Sequence, residues 1–296
     1  MRLFCDKSLK TFYLLGLLAG LFLLTESKKG LCQVNISLGV GYGAGIGGQN
    51  IETPPGWLQT QWELPSAYAN VTIQENQPTF EQINVSLGQG FQIGGSLGGV
   101  LGRGLGWDMG FGYVNGDRVR ASLTNGASGY IQSLSLKMFR FTPSFVVRAS
   151  NPYRPDRTSY ARFGVVLGSA IVNYGLSNLD TPKVEMEMEY SGSAAWGLSA
   201  ALGIQSLVSG RLWFFGELQA TNQSYSPTTG NVTSYRVKDK DQLSTLNISQ
   251  KQVVLVDQMD GSGNSGANGS ISLRQRFPLS SASLLLGFRF ILGNKE

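Results

Sequence analysis

The chain has no histidine among its 296 residues and only two cysteines, Cys5 and Cys32. Imidazole is the usual base for proton transfer near neutral pH, so mechanisms that pair histidine with serine or aspartate are excluded. Because both cysteines precede residue 33, the rest of the chain cannot be a disulfide scaffold. A site built from carboxylates alone is the enzymatic alternative, and no motif points to one. We therefore expect a non-enzymatic protein without a cofactor or a metal.

Charged side chains are also scarce. They make up 15% of the residues, against roughly 25% in an average soluble domain. The formal net charge is +5, but residues 1–32 hold five basic and two acidic side chains, which leaves +2 for the remainder. A positive charge concentrated in one terminal segment is not the basic surface of a nucleic-acid-binding protein. We expect no nucleic-acid partner.

No apolar run is long enough for a membrane-spanning helix. The longest, TFYLLGLLAGLFLLT, has 15 residues and follows a basic segment, whereas a spanning helix needs about 20. This arrangement predicts a signal peptide over residues 1–32, cleaved after Cys32 and leaving 33–296 as the exported protein. The alternative is a lipoprotein in which Cys32 carries the lipid.

Glycine is abundant, with 39 residues, and side chains alternate with a period of two. VNISLGVGYG sets Val34, Ile36 and Leu38 on one face; SASLLLGFRFIL sets Leu284, Leu286, Phe288, Phe290 and Leu292 opposite Ser283, Gly287 and Arg289. A period of two indicates a strand with two differently solvated faces. Eight segments show this alternation, which predicts an all-β fold.

Three of these segments carry specific expectations. INVSLGQGFQIGG places Val85 and Leu87 on the same face as Phe91. A change of phase near Phe139 predicts a β-bulge. A single strand without a slip is expected from Val184 to Ile204. Aromatic residues near the ends of the apolar bands are expected to form interfacial girdles: Tyr42, Trp107, Tyr113, Tyr190 and Trp196.

The other faces carry mainly Gly, Ser, Asn and Ala, which suit the narrow interior of a closed barrel. The apolar faces then contact lipid, where a sheet must close to leave no free edge. Spacers between segments alternate between short and long, as in outer-membrane barrels. We therefore predict an antiparallel, up-and-down transmembrane β-barrel of eight strands, with long external loops at about 44–82 and 223–278. Ten strands result if QVVLVDQ and YRVKD also enter the membrane.

Two stretches resemble a known family. GLSAALGIQSLVSGRLWFFGELQ resembles the strand–turn–strand hairpin of small Gram-negative outer-membrane β-barrel proteins, the outer-membrane protein A and X type often called porin-like. LLLGFRFIL resembles the strand by which the barrel-assembly machinery recognises its clients. The resemblance implies a location in the cell outer membrane, contact with its lipid, and the assembly machinery as a partner during biogenesis.

Two groups of charged residues are candidate functional positions. Asp108, Arg162, Glu217 and Arg289 are predicted to point into the lumen, either as an ion-paired plug or as the lining of a polar conduit. Glu185, Glu187 and Glu189 on one strand, with Arg236, Lys238 and Lys240 on another, are predicted near the extracellular mouth. They form either a cross-strand charge ladder or a ligand-attracting mouth.

The function predicted from these features is a role in envelope integrity or in surface interaction through the external loops. Residues 44–82, with Trp57, Trp62 and Tyr68, and residues 223–278 would be the contact surfaces for an unidentified surface or periplasmic protein. The alternative is a small diffusion channel for ions or polar solutes. A third hypothesis is an accessory of a secretion or assembly machine.

Overall fold

The computed structural model describes residues 34–48, 69–74, 77–102, 104–125, 128–178, 182–258 and 270–292. Strands dominate these residues, as the period-two alternation predicts, so the all-β fold class is confirmed. A 3-10 turn, η1 (Leu243–Thr245), and a short helix, α1 (Ile248–Lys251), lie between two of the strands. In the described ranges no helix has the length and apolar character needed to cross a bilayer. The predicted signal peptide lies outside the described residues.

The strands in chain order are β1 (Val34–Gly45), β2 (Ala69–Gln74), β3 (Gln77–Gln82), β4 (Gly90–Gly102), β5 (Leu105–Gly116), β6 (Val119–Asn125), β7 (Ser128–Asn151), β8 (Arg154–Asn178), β9 (Val184–Ser191), β10 (Ala194–Ser209), β11 (Leu212–Tyr225), β12 (Thr229–Val237), β13 (Lys240–Asp241), β14 (Gln252–Val256), β15 (Ser270–Leu273), β16 (Phe277–Pro278) and β17 (Ser281–Leu292).

A closed ring of hydrogen-bonded strands is the main feature of the fold. Its order is β1–β4–β5–β7–β8–β10–β11–β17, and β17 pairs back onto β1. All these pairings are antiparallel, and ring neighbours follow one another along the chain, which is an up-and-down arrangement. Closure gives each of these strands a partner on both sides, so the ring has no free sheet edge.

The two faces of the ring strands differ as the sequence predicts. On β1, Leu38 is 64% exposed on the outer face and Asn35 is 5% exposed on the inner face. On β17, Phe288 is 53% exposed and its neighbour Arg289 only 4%. The predicted orientation of these strands is thus confirmed. Glycine allows the strands to approach closely: a Cβ added at Gly287 would collide with the backbone of Leu38 and Gly39.

At one end, the strands continue past the ring and form a second layer of structure, here called the extension. It comprises β6, β9, β12 and β14, together with the ends of the long strands β7 and β8. An apolar core fills it, including Leu134, Leu136, Met138, Val172, Tyr174, Met186, Met188, Val253 and Leu255. The segments proposed for a ten-stranded barrel lie here, where β12 pairs with β9 and β14 rather than with ring strands.

The bulge predicted near Phe139 is wrong. The pairing of β7 with β5 and β8 keeps one register through this region, and a shift occurs only between Ser150 and Asn151. Phe139 is 67% exposed, while Met138 and Arg140 on either side are buried. The apparent change of phase arises because the interior turns from apolar in the extension to polar in the ring, while the strand itself runs straight through.

The single strand predicted from Val184 to Ile204 is also wrong. β9 ends at Ser191 and β10 begins at Ala194, and Gly192 between them has a φ of +115°, which favours glycine. The break reverses the faces, so Tyr190 is 2% exposed while Trp196 is 67% exposed. Tyr190 therefore belongs to the core of the extension and cannot join an interfacial girdle.

The orientation predicted for Val85 and Leu87 is wrong for a similar reason. β4 begins only at Gly90, and the segment before it folds inward, leaving both side chains 1% exposed in the apolar core. Phe91, which follows the start of the strand, is 49% exposed as predicted. An alternating apolar pattern identified the side-chain period here but could not show where the ring strand begins.

The apolar core of the extension makes a testable prediction at two adjacent valines of β14. Val253 is 3% exposed and Val254 is 37% exposed. We expect Val253→Asp to lower the free energy of unfolding by about 3 kcal/mol, because it buries a charge without a partner. Val254→Asp should cost less than about 1 kcal/mol. Urea unfolding of detergent-refolded protein, followed by circular dichroism, measures both.

Because the two variants share residue type, strand and new charge, they differ only in the face that carries the substitution. Equal losses of stability would contradict a sealed apolar core in the extension.

Candidate functional site

Arg162 forms an ion-paired bridge across the interior of the ring. It lies on β8, and its Nη1 is 3.0 Å from Asp108 Oδ2 on β5, while its Nη2 is 2.5 Å from Glu217 Oε1 on β11. Each acid is separated from β8 by an intervening strand, so the guanidinium spans the lumen rather than pairing along the wall. The side chains of Arg162, Asp108 and Glu217 are 13%, 3% and 2% exposed. We call these three residues the arginine bridge.

A second cationic group packs against the bridge. The guanidinium of Arg289 lies 5.0 Å from the centroid of the Tyr160 ring and 5.5 Å from that of Phe215. It donates a hydrogen bond of 2.6 Å to Gln205 Oε1. Tyr160 in turn donates from its hydroxyl to Glu217 Oε2 at 3.0 Å. Arg289 is therefore joined to the arginine bridge through Tyr160, without an ion pair of its own to Glu217.

The opposite wall of the lumen carries glycines. Gly39 on β1, Gly94 on β4, and Gly110 and Gly112 on β5 point inward, and we call them the glycine wall. Because these positions have no side chain, the long residues from β7, β8, β11 and β17 can reach across the ring. A cavity of about 80 Å³ remains between the glycine wall and the arginine bridge.

Two further arginines face the interior and were missed by sequence reasoning. Arg140 on β7 is 8% exposed, and neither its Nε nor its Nη2 has a hydrogen-bond partner in the described structure. Arg148, on the same strand and face, is partly buried. The sequence did contain a signal for Arg140, which lies between Phe139 and Phe141. Because neighbouring side chains of a strand point to opposite faces, two outward phenylalanines place the arginine inside.

The acidic and basic residues expected at the mouth are only partly brought together. Arg236 on β12 lies opposite Glu185 on β9 in the strand register, and Glu185 forms a 2.5 Å ion pair with Lys183. The carboxylate of Glu185 raises the pKa of Lys183 by accepting its hydrogen bond. Glu187 and Glu189 face Ser234 and Asn231 instead.

The two lysines of the second group are not register partners of the glutamates. Lys238 has a φ of 52° in the turn after β12, and Lys240 begins the short strand β13. Both are exposed. Exposed ion pairs of the Lys183–Glu185 kind contribute little to stability. Arg236 and Glu185 are opposite each other in the pairing of β12 with β9.

Metal coordination finds no support in the described residues, where no group of three or more Cys, Asp or Glu side chains is placed to hold an ion. Of the predicted loop contacts, Trp57, Trp62 and Tyr68 lie outside the described residues. The range 223–278 contains strands β12 to β16.

No protein-family model matches the chain. No curated protein sequence matches it either. Among solved structures it is similar to CarO of Acinetobacter baumannii, with 13% identity, 69% of this chain and 92% of the other covered, and a TM-score of 0.29. CarO2 of the same organism has 14% identity, 87% and 99% coverage and a TM-score of 0.28. The outer membrane protease OmpT of Escherichia coli has 9% identity, 88% and 97% coverage and a TM-score of 0.28. Nothing about the activity of this chain follows from likenesses at this level.

The arginine bridge makes a prediction for stability. We expect Glu217→Gln to lower the free energy of unfolding by about 2 to 4 kcal/mol, because a buried guanidinium loses a charged partner. The exposed Glu187 on β9 is the matched control, and Glu187→Gln should change stability by less than about 0.5 kcal/mol. Urea unfolding of the refolded protein measures both.

Asp108→Asn provides an internal check on the same network. Since both acids pair with Arg162, the effects of Glu217→Gln and Asp108→Asn should be non-additive in the double variant. Additive effects would show that Arg162 does not couple the two walls.

Proposed function

We propose that the protein is an integral outer-membrane β-barrel in which the eight ring strands cross the membrane and the lumen is closed. Its role is non-enzymatic, in envelope integrity or surface interaction, and the extension presents the interacting surface outside the membrane. The observation that carries this proposal is the double closure of the interior, by the arginine bridge within the ring and by the apolar core of the extension above it.

The lipid-facing assignment is supported by the outer surface of the ring. Large apolar side chains are exposed on every ring strand, among them Leu38, Phe111, Phe145, Phe163, Leu202, Leu218 and Phe288. A soluble protein does not leave so continuous an apolar belt in water. In a bilayer this belt is the expected exterior of a barrel, and closure of the ring satisfies the backbone hydrogen bonds that lipid cannot.

The orientation of the barrel in the membrane follows from the lengths of the connections between its strands. Short turns join β4 to β5, β7 to β8 and β10 to β11 at one end of the ring. The other end carries the extension and the long connections. Because barrels of this class have short periplasmic turns and longer external loops, the extension lies on the cell surface.

A closed lumen distinguishes this proposal from the diffusion channel. An eight-stranded barrel is just wide enough for its side chains to fill, and here the long inward residues oppose a glycine wall with a cavity of about 80 Å³ between them. Above it, Leu136 and Met138 of the apolar core are 0% exposed. A conduit for polar solutes would have to pass through this packed, mainly apolar core.

Conductance in planar bilayers tests closure. We expect wild type and Arg289→Ala to be equally silent, because the apolar core lies above Arg289 and does not depend on it. Protease protection of the reconstituted protein is the control for insertion. Single-channel currents in wild type that rise in Arg289→Ala would contradict the closed lumen and favour the channel.

Gel mobility tests the barrel and its location. In an outer-membrane fraction, the unboiled protein should migrate as a compact species that shifts on boiling, because a closed ring resists detergent until heated. Absence from that fraction, or a single mobility with and without boiling, would overturn the lipid-facing assignment of the apolar belt.

A further inference from the structure

We propose that the lumen holds a specific site for a small inorganic anion, of chloride to phosphate size, centred on Arg140. The site is the cavity between the glycine wall and the arginine bridge. Anion binding at this site goes beyond the closed-barrel function. It depends only on the interior of the ring, and not on which membrane or partner the protein contacts.

The charge of the interior is the first reason. Among the described residues, the ring interior holds four arginines, Arg140, Arg148, Arg162 and Arg289, but only two acids, Asp108 and Glu217. Both acids are already engaged by Arg162. A guanidinium remains charged at all ordinary pH values, so the interior carries an uncompensated positive charge.

The contacts of Arg140 are the second reason. A buried charge is normally paired or hydrogen-bonded, because its desolvation is costly. Arg140 is 8% exposed, yet its Nε and Nη2 have no partner among the described residues. Water could satisfy the two donors but would leave their charge uncompensated. An anion would satisfy both requirements at once.

The shape of the cavity is the third reason. Arg140, Thr142, Gln92 and Gln219 line it together with Arg162 and Arg289, so donors reach it from several strands. The carboxylate of Glu217 also lines it, and both of its oxygens are already engaged, by Arg162 and by Tyr160. Its volume of about 80 Å³ is several times the roughly 10–15 Å³ that one water molecule needs. This space is sufficient for a chloride ion with water or for a single tetrahedral oxyanion.

Further donors lie just above the cavity. Gly168 on β8 is the register partner of Arg140, and the Nε2 of Gln223 lies 3.3 Å from where a Cβ of Gly168 would be. Gln223 is 2% exposed, and its side-chain amide has no partner in the part of the chain described. Its amide nitrogen adds one more unsatisfied donor to the two of Arg140, and its amide oxygen is an unsatisfied acceptor beside it.

Thermal unfolding of the full barrel in an uncharged detergent tests the site. The protein is refolded and measured at constant ionic strength, with sodium gluconate replaced stepwise by sodium chloride or sodium phosphate. A ligand that binds only the folded state raises the midpoint, by about 5 to 10 °C at a hundredfold excess over Kd. We expect a saturable rise with at least one of the two ions, because both are more compact than gluconate.

Two substitutions on β7 locate the effect. Arg140→Gln should abolish the anion-dependent rise, since it removes the central charge. Lys137→Gln removes the same charge from an exposed position of the same strand and should retain the rise. An unfolding midpoint of the wild type that does not change with the anion would overturn the proposal. So would an equal rise of the midpoint in wild type and Arg140→Gln.

Gly112→Val is a second test that keeps every charge. Gly112 is the β5 partner of Arg140, and a Cβ there would lie 3.5 Å from Ile93 O, so the first added carbon fits. The rest of the valine side chain occupies the cavity beside the guanidinium. For the ion that stabilises the wild type, we expect the apparent affinity to fall at least tenfold in Gly112→Val; an unchanged affinity would place the bound ion elsewhere.

Discussion

Closure of the ring is the constraint on which the other features depend. Once β17 pairs with β1, every second side chain of each ring strand must enter a space of fixed and narrow width. Large residues cannot occupy it from all sides. The chain meets this constraint by asymmetry: β1, β4 and β5 supply glycine, and β7, β8, β11 and β17 supply the long side chains that cross the lumen.

The interior has two zones with different chemistry. In the ring, buried charges are joined by the arginine bridge and by stacking of Arg289 on Tyr160 and Phe215. In the extension, the same strands β7 and β8 turn apolar side chains inward and build a core like that of a soluble domain. The change occurs within two residues, between Met138 and Arg140.

The sequence was sufficient to predict the outward faces of the ring strands, because the outward apolar positions repeat with a strict period of two. It was also sufficient to place Asp108, Arg162, Glu217 and Arg289 on inner faces. The extension could not be predicted in the same way. There the apolar residues face inward, so Met186, Met188 and Tyr190 have the pattern of a lipid-facing strand while lying in a core. Periodicity shows which residues share a face, but it does not show whether that face lies on the outside of the ring or in a core. The partner of each buried charge could not be predicted either, because it depends on which strands lie opposite one another across the lumen.

The pairing of β1 with β17 joins the first and last strands of the ring. Until both are available, each carries a row of unpaired backbone groups, and the growing sheet has two edges able to pair with another chain. The contacts that close the ring are therefore among the most distant along the sequence, and such contacts form slowly. Both edges therefore stay exposed until the last strand of the ring is in place, and the pairing of β17 with β1 removes the two edges at once.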